Sequence, residues 1–405
     1  KIIVDAYNMG VSDIHIEPYP GKQKTLIRFR RDGSLMNYIE VPASYRSPLV
    51  ARLKIMCDLD ISERRKPQDG KIKFKKFGPL DIELRVATVP TQGGLEDVVM
   101  RILAAGEPLP LEQLALSRRN LANLKSVVSK PYGLFFVCGP TGSGKTTTLH
   151  SVLKFLNTPE TKIWTAEDPV EITQVGLRQV QMNPKAGLTF ATAMKAFLRA
   201  DPDVIMVGEM RDKETTSTGI EASLTGHLVL ATLHTNSAPE SIIRLLDMGV
   251  PRYMVALSVN LVLAQRLVRV ICSHCRQPYQ PTPAEQAWLA LELGDAAQGL
   301  STFHGAGCTH CNQTGYQGRT GAYEFLEMTT TLVDALNHGD SRVFMQLARE
   351  QMAAEGPANL NLRAIARELG MASSAIYRYF ASRDDLLTAL LPRLDRGSRG
   401  ICALL

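Results

Sequence analysis

No run in this 405-residue sequence approaches the roughly 18 consecutive apolar residues of a membrane span, so any membrane association must pass through a partner. Charge of one sign is also scarce in excess. The net +6 is spread along the chain and is too small by itself to argue for nucleic acid. Internal repeats and low-complexity tracts are lacking, which excludes a repeat array. Neither a start methionine nor a signal peptide precedes Lys1, and the opening residues read as the inside of a strand. The expectation is a piece of something longer. What is present, 45% hydrophobic and 21% charged residues, is the composition of a soluble globular protein of about three domains.

Seven cysteines occur, four of them in two C-x-x-C pairs, Cys272/Cys275 and Cys308/Cys311. Together with a phosphate loop, such pairs point to a reducing cytosol and a metal, not to disulfides. Two knuckles bring four thiolates to a tetrahedral Zn2+, whereas a redox site needs one pair. The site should be structural. Cys57 and Cys138 sit in apolar runs and are expected in the core.

Composition and periodicity divide the chain. Residues 1–103 mix alternating strands (24–30, 72–77, 81–89) with a helix near 47–57, and turn signals fall at Asp32-Gly33 and Asp69-Gly70. This is a small α+β domain. Residues 104–118, with Gly106, Pro108 and Pro110, read as a linker. From 119 to 266, apolar runs at 134–138, 162–165, 204–207 and 228–232 alternate with helical segments, the pattern of an α/β sheet with buried strands. A section carrying the tetracysteine element follows at 267–351, then a helical tail at 352–405.

The chemistry begins at Gly139-Pro140-Thr141-Gly142-Ser143-Gly144-Lys145-Thr146-Thr147, which fits G-x-x-x-x-G-K-[ST] between a buried strand and a helix. The glycines let the backbone wrap phosphates and turn N–H groups inward, where the helix N-terminus adds positive charge. In such a loop Lys145 reaches the β- and γ-phosphates of ATP and the Thr146 hydroxyl ligates Mg2+. Acidic segments end two later strands, Glu167-Asp168-Pro169-Val170-Glu171 and Gly208-Glu209-Met210-Arg211-Asp212. Strand ends of α/β sheets meet the ligand, so one acid can hold Mg2+ or its water and another can orient the attacking water. An Asp usually closes the second strand; with Gly208 in its place, Glu209 takes the acidic role.

The run FLRADPDVIMVGEMRD (Phe197–Asp212), with TAEDPVE before it and TGHLVLATLHTNSA after it, resembles the type II secretion and type IV pilus assembly ATPases over about residues 1–351. The segments SDIHIEP, RFRRDG and RRKPQDG of the first domain and the Gly315–Arg319 run look like the family's signatures as well. The resemblance implies a RecA-like ATPase domain behind a PAS-like α+β domain, a homo-hexamer, and work on an inner-membrane secretion platform from the cytoplasmic side without membrane insertion. It implies that Glu209 and Glu167 handle Mg2+ and water, with the general base left open between them. His227 and His234 would sense the nucleotide state; without the family they are ordinary strand-end histidines. Arg85 and Arg101 would neutralise transition-state charge, an effect worth about 10³–10⁵ in rate; read alone they are arginines on a solvated sheet face. Gly93-Gly94-Leu95-Glu96 departs from the family's usual Gly-Glu, which leaves the register into Arg101 open. Type II secretion and pilus extension share every motif used here.

The tail is different. Residues 360–391 read as two short helices around Gly370, with Ala366 small enough for a crossing, and AIARELGMASSAIYRYFASRDDLLTALL looks similar to the DNA-binding end of TetR-type repressors. That resemblance implies that Ser373, Ser374, Tyr377 and Tyr379 face a groove and that Arg383 approaches phosphate. Ala372 stands where a Ser cap is preferred. A lone copy lacking the dimerising domain should bind DNA weakly through residues 352–391. The tail reads as a junction from recombination or frameshift in preference to a working regulator.

Overall fold

The computed structural model describes residues 1–103, 107–293 and 301–354. The chain divides into two compact units, residues 1–107 and 108–405.

The first unit is built from α1 (Ile2–Asn8), β1 (Asp13–Glu17), β2 (Thr25–Arg31), β3 (Ser34–Val41), α2 (Arg46–Met56), β4 (Gln68–Lys73), β5 (Glu83–Thr91) and β6 (Leu95–Leu103). Its six-stranded antiparallel sheet has the order β3-β2-β1-β6-β5-β4. Alternation drives it: Ile14, Ile16, Ile27, Phe29, Leu84, Val86, Val98 and Met100 are buried on one face against α1 and α2. Each such side chain removed from water stabilises by about 1.5–3 kcal/mol. Asp32 and Gly33 both take positive φ between β2 and β3, as a two-residue hairpin turn requires.

Two expectations fail here. The opening residues form a helix, because Ile3 and Ala6, one turn apart, face the core, while the β-branched run Ile2-Ile3-Val4 imitates a strand. Asp69-Gly70 is no turn but lies inside β4; a side chain at Gly70 would come within 2.8 Å of Cys57 Cβ, so close packing selects glycine.

The second unit runs α3 (Arg118–Val128), β7 (Gly133–Cys138), α4 (Lys145–Leu156), β8 (Ile163–Glu167), β9 (Arg178–Gln181), α5 (Phe190–Phe197), β10 (Val204–Val207), α6 (Lys213–Leu224), β11 (Leu228–Leu233), α7 (Ala238–Asp247) and α8 (Arg252–Ser258). It continues with β12 (Val259–Ile271), β13 (Arg276–Tyr279), α9 (Pro283–Leu293), β14 (Thr302–Gly305), β15 (Tyr316–Glu327), α10 (Thr330–His338) and α11 (Ser341–Ala354). The seven-stranded sheet, in the order β15-β12-β7-β11-β10-β8-β9, is parallel except for β15. Every residue of β7, β10 and β11 is buried, as a sheet covered on both faces demands. Leu134 and Phe136 pack in one core cluster, Phe135 and Val137 in the other.

The boundary expected between 266 and 267 falls inside β12, a continuous strand that pairs with both β7 and β15. The tetracysteine section therefore shares the sheet of the nucleotide-binding core. In the expected linker, Leu111 and Leu114 are buried in the second unit's core. At the other end Phe344, Ala348 and Met352 of α11 belong to that core too. The helix-turn-helix reading of residues 360–391 lies outside the described residues.

Candidate nucleotide site and cysteine cluster

Parallel register brings the C-terminal ends of β7, β8, β10 and β11 to one edge: Leu233 lies opposite Cys138, and Val207 opposite both Ala231 and Ala166. The loop after β7, Glu167, Glu209 and His234 therefore share this edge. In the loop, Gly139, Gly142 and Gly144 have positive φ. A side chain at Gly139 would meet Gln265 O at 2.4 Å, and one at Gly144 would meet Gln265 Nε2 at 2.7 Å, so both positions exclude a Cβ twice over.

The loop is clamped from β12. The buried Gln265 donates to Ser143 O (2.7 Å) and accepts from Thr148 Oγ1 (2.7 Å), tying loop and α4 together. Lys145 opens α4, and its ammonium donates to Gly139 O (2.8 Å) and Pro140 O (3.0 Å). Burial, its largest influence, pushes the Lys145 pKa below the ordinary value. Ser143 Oγ is buried without a hydrogen-bond partner among the described residues. A glycine-rich loop at a helix N-terminus, with a buried cation and an unsatisfied hydroxyl, fits a polyphosphate.

Beside the loop lies a cavity of about 90 Å3 lined in part by Thr146, Glu167, Asp168, Glu171, Glu209 and Thr232. Both strand-end glutamates and the hydroxyl expected on Mg2+ thus face one space. At Gly208 a Cβ would lie 3.1 Å from Ala166 O, a tight but not forbidden contact beside β8. Glu209 Oε1 contacts Arg211 Nε at 2.5 Å and His234 Nε2 at 3.3 Å. Burial and then the Lys145 charge hold His234 below the ordinary imidazole pKa, against the opposing pull of Glu209. Asp212, in the same acidic segment, serves elsewhere by capping α6 through Thr215 N (2.8 Å).

Glu167 is 3% exposed and is satisfied by protein donors. Oε1 accepts from Thr165 Oγ1 (2.6 Å) and Gln179 Nε2 (3.0 Å), and Oε2 contacts His150 Nε2 at 3.1 Å. Burial raises its pKa, but those hydrogen bonds outweigh burial and hold the carboxyl below the ordinary range. His150, Gln174, Gln179 and Gln265 were invisible in the sequence, since none belongs to a local pattern.

His227 is not brought to this edge. It precedes β11 at the level of Gly133, the opposite end of the strand from His234, and contacts Ala222 O at 3.0 Å. At roughly 3.3 Å per residue the strand holds the two histidines about 20 Å apart, and of the two His234 is the one at the edge that carries the phosphate loop. In the first unit, β5 and β6 pair without a shift from Thr91↔Leu95 to Arg85↔Arg101. Two like charges directly opposite destabilise a sheet. Arg101 is offset by Asp13 Oδ1 at 2.8 Å, and Arg85 is exposed.

The four thiols of Cys272, Cys275, Cys308 and Cys311 converge, with all sulfurs within 4.8 Å of one another. Three pairs measure 3.9, 3.8 and 3.7 Å. A tetrahedron with Zn–S arms of about 2.3 Å has edges of about 3.8 Å, so the donor set fits Zn2+. Burial pushes the Cys311 thiol up, but donation from the N–H groups of Cys308 and Gly315 (3.2 Å each) helps to bring it down to about 6.

A family model described as "Type II/IV secretion system protein" matches residues 1–366, and one described as "Bacterial regulatory proteins, tetR family" matches residues 344–390. The first runs beyond residue 351, where the resemblance was expected to stop. The second begins inside α11 and otherwise falls almost wholly outside the described residues. The type IV pilus assembly ATPase PilB of Myxococcus xanthus (strain DK1622) is 46% identical over 84% of this chain and 60% of that protein. Type II secretion system protein E of Dickeya dadantii (strain 3937) is 45% identical over 84% of this chain and 67% of that protein. The chain thus spans about two thirds of these relatives' length or less. The crystal structure of the pilus retraction motor PilT with bound ADP matches at 26% identity and a TM-score of 0.57, covering 85% of this chain and 88% of that one.

Proposed function

The chain belongs to the type II/IV secretion system protein family, and from that premise we propose that it hydrolyses ATP to drive pilus or pseudopilus assembly at an inner-membrane platform. One observation carries the reading: the phosphate loop opens α4 beside a cavity that Thr146, Glu167 and Glu209 share. The backbone N–H groups of Gly139–Gly144 would cradle the phosphates, with Lys145 leaving its loop carbonyls for the terminal phosphates. Mg2+, held through Thr146, supplies charge neutralisation on the phosphate oxygens when bound. Glu209 activates the attacking water, because both oxygens of Glu167 are already engaged. His234, beside Glu209, reports the state of the site. Arg85 and Arg101 add positive charge as the reaction proceeds.

The RecA-like motor unit follows a PAS-like first unit, and the working form is a homo-hexamer. Among the described residues no helix is long and apolar enough to cross a membrane; attachment through platform proteins on the cytoplasmic side is part of the proposal. Zn2+ on the four cysteines ties β12 to the segment preceding β15. The two secretion and pilus relatives are matched equally well, so the shared motor activity is the conclusion. Lys145→Ala is expected to abolish hydrolysis, since no other loop side chain places a point charge on the terminal phosphates. Wild-type turnover by this variant, in preparations free of contaminating ATPase, would overturn the assignment.

A further inference from the structure

Three buried side chains, His150, Glu167 and Gln174, and the half-buried Gln179 form a hydrogen-bonded ring that includes the Gln174 backbone N–H. His150 lies on α4, the helix that carries Lys145 and Thr146; Glu167 ends β8; Gln174 lies in the β8–β9 connection; Gln179 lies on β9. The directions of the hydrogen bonds in this ring can be deduced from its backbone contacts. The Gln174 amide atom 2.7 Å from His150 Nδ1 is also 3.0 Å from His150 O. A carbonyl oxygen only accepts, so that atom is the NH2 nitrogen, and its second hydrogen meets Nδ1. Nδ1 is therefore an acceptor, the ring proton sits on Nε2, and Nε2 donates to Glu167 Oε2 at 3.1 Å. The same logic orients Gln179. Its Oε1 accepts from the Gln174 N–H (2.9 Å), while its Nε2 donates to Ile172 O (2.8 Å) and to Glu167 Oε1 (3.0 Å).

Every donor of this ring that reaches Glu167 favours the ionised carboxylate, and each carboxylate oxygen has a partner from a different element. His150 is fully buried and does not line the cavity, whereas Glu167 does. We propose that His150 is a positioning residue, which holds Glu167 charged and aimed at the nucleotide cavity and couples that aim to the helix opened by the phosphate loop. The role rests on the ATP-hydrolysis reading above. It requires a neutral imidazole with its proton on Nε2, and it makes Glu167 an oriented charge, leaving proton abstraction to Glu209.

The test compares His150→Leu with His150→Gln in the full chain, measuring ATP turnover, nucleotide affinity and melting temperature. Leucine can neither accept from Gln174 nor donate to Glu167, whereas a glutamine amide can do both. Small misplacement of a catalytic group can cost up to about 100-fold, so His150→Leu is expected to lower turnover about 10- to 100-fold with nucleotide affinity within about threefold. His150→Gln is expected to recover turnover to within about threefold of wild type. Should His150→Leu not fold, Gln174→Leu removes the donor to Nδ1, together with its bond to His150 O, and leaves the imidazole in place. It is expected to lower turnover less and to release the fixed Nε2–H tautomer seen by imidazole nitrogen NMR. Equal melting losses in both His150 variants with unchanged turnover per folded molecule would overturn the positioning role, as would an Nδ1–H tautomer in the wild type. Wild-type chain without turnover would instead sink the functional reading and this role with it.

Discussion

At the scale of single residues, local pattern and tertiary demand separate cleanly. Lys145 and the glycines before it were legible because the phosphate loop is a contiguous string whose chemistry requires those residues. Glu209 was legible for the same reason, as the acid closing a buried strand. The partners of Glu167 were not, because His150, Gln174 and Gln179 approach it from three separate elements. Glu167 also carries a pH signature. Its folded pKa lies below the unfolded value near 4.5, so the folded protein binds fewer protons there. That contribution is complete above about pH 4.5 and is lost as pH falls through the folded pKa. The melting-temperature gap between wild type and Glu167→Gln should therefore hold from pH 7 to about pH 4.5 and narrow on further acidification. A gap that widened over that range would contradict the ionised, hydrogen-bonded state.

At the scale of elements, the strands of the second unit announced themselves as apolar runs, since a parallel sheet covered on both faces leaves no polar alternation. α1 did not, because a run of β-branched residues satisfies a helix face as well as a strand. The boundary placed before residue 267 was misread for a related reason. Composition changes at the cysteine pairs, but β12 runs through the change without a break in the sheet. The middle of β12 clamps the phosphate loop through Gln265, and its C-terminal end leads directly into Cys272. Purified protein is expected to carry about one zinc per chain, and elemental analysis finding none in fresh protein would refute the site. Cys308→Ser should lower zinc content and solubility more than nucleotide affinity, because the cysteines lie outside the loop that holds phosphate.

At the scale of the whole molecule, two family models overlap at residues 344–366. The described part of that overlap is core: Phe344, Ala348 and Met352 are buried in the second unit. A truncation before Met352 would therefore open the core, by about 2–5 kcal/mol if the loss resembles a large-to-small substitution. Removal of residues 355–405 is expected to leave ATP turnover unchanged or improved, with assembly followed by mass measurement. On the weak-binding reading of the tail, the cationic side chains of Arg363, Arg367, Arg378, Arg383, Arg393 and Arg396 are expected to meet phosphates without regard to base sequence. Duplex binding by the full chain is expected to be weak, non-specific and lost steeply with added salt. A footprint on one operator that survives physiological salt and disappears in Tyr377→Ala would promote the regulator reading.

The central claim is that this chain turns over ATP at the edge where the phosphate loop and Glu209 meet. Phosphate release from Mg2+-ATP, measured beside nucleotide binding for wild type and Glu209→Gln, tests it most directly. Wild type should release phosphate continuously, while Glu209→Gln binds nucleotide with comparable affinity and turns over at least about 100-fold more slowly, as loss of a general base requires. Equal turnover in the two proteins, or nucleotide binding without any phosphate release by the wild type, would contradict it.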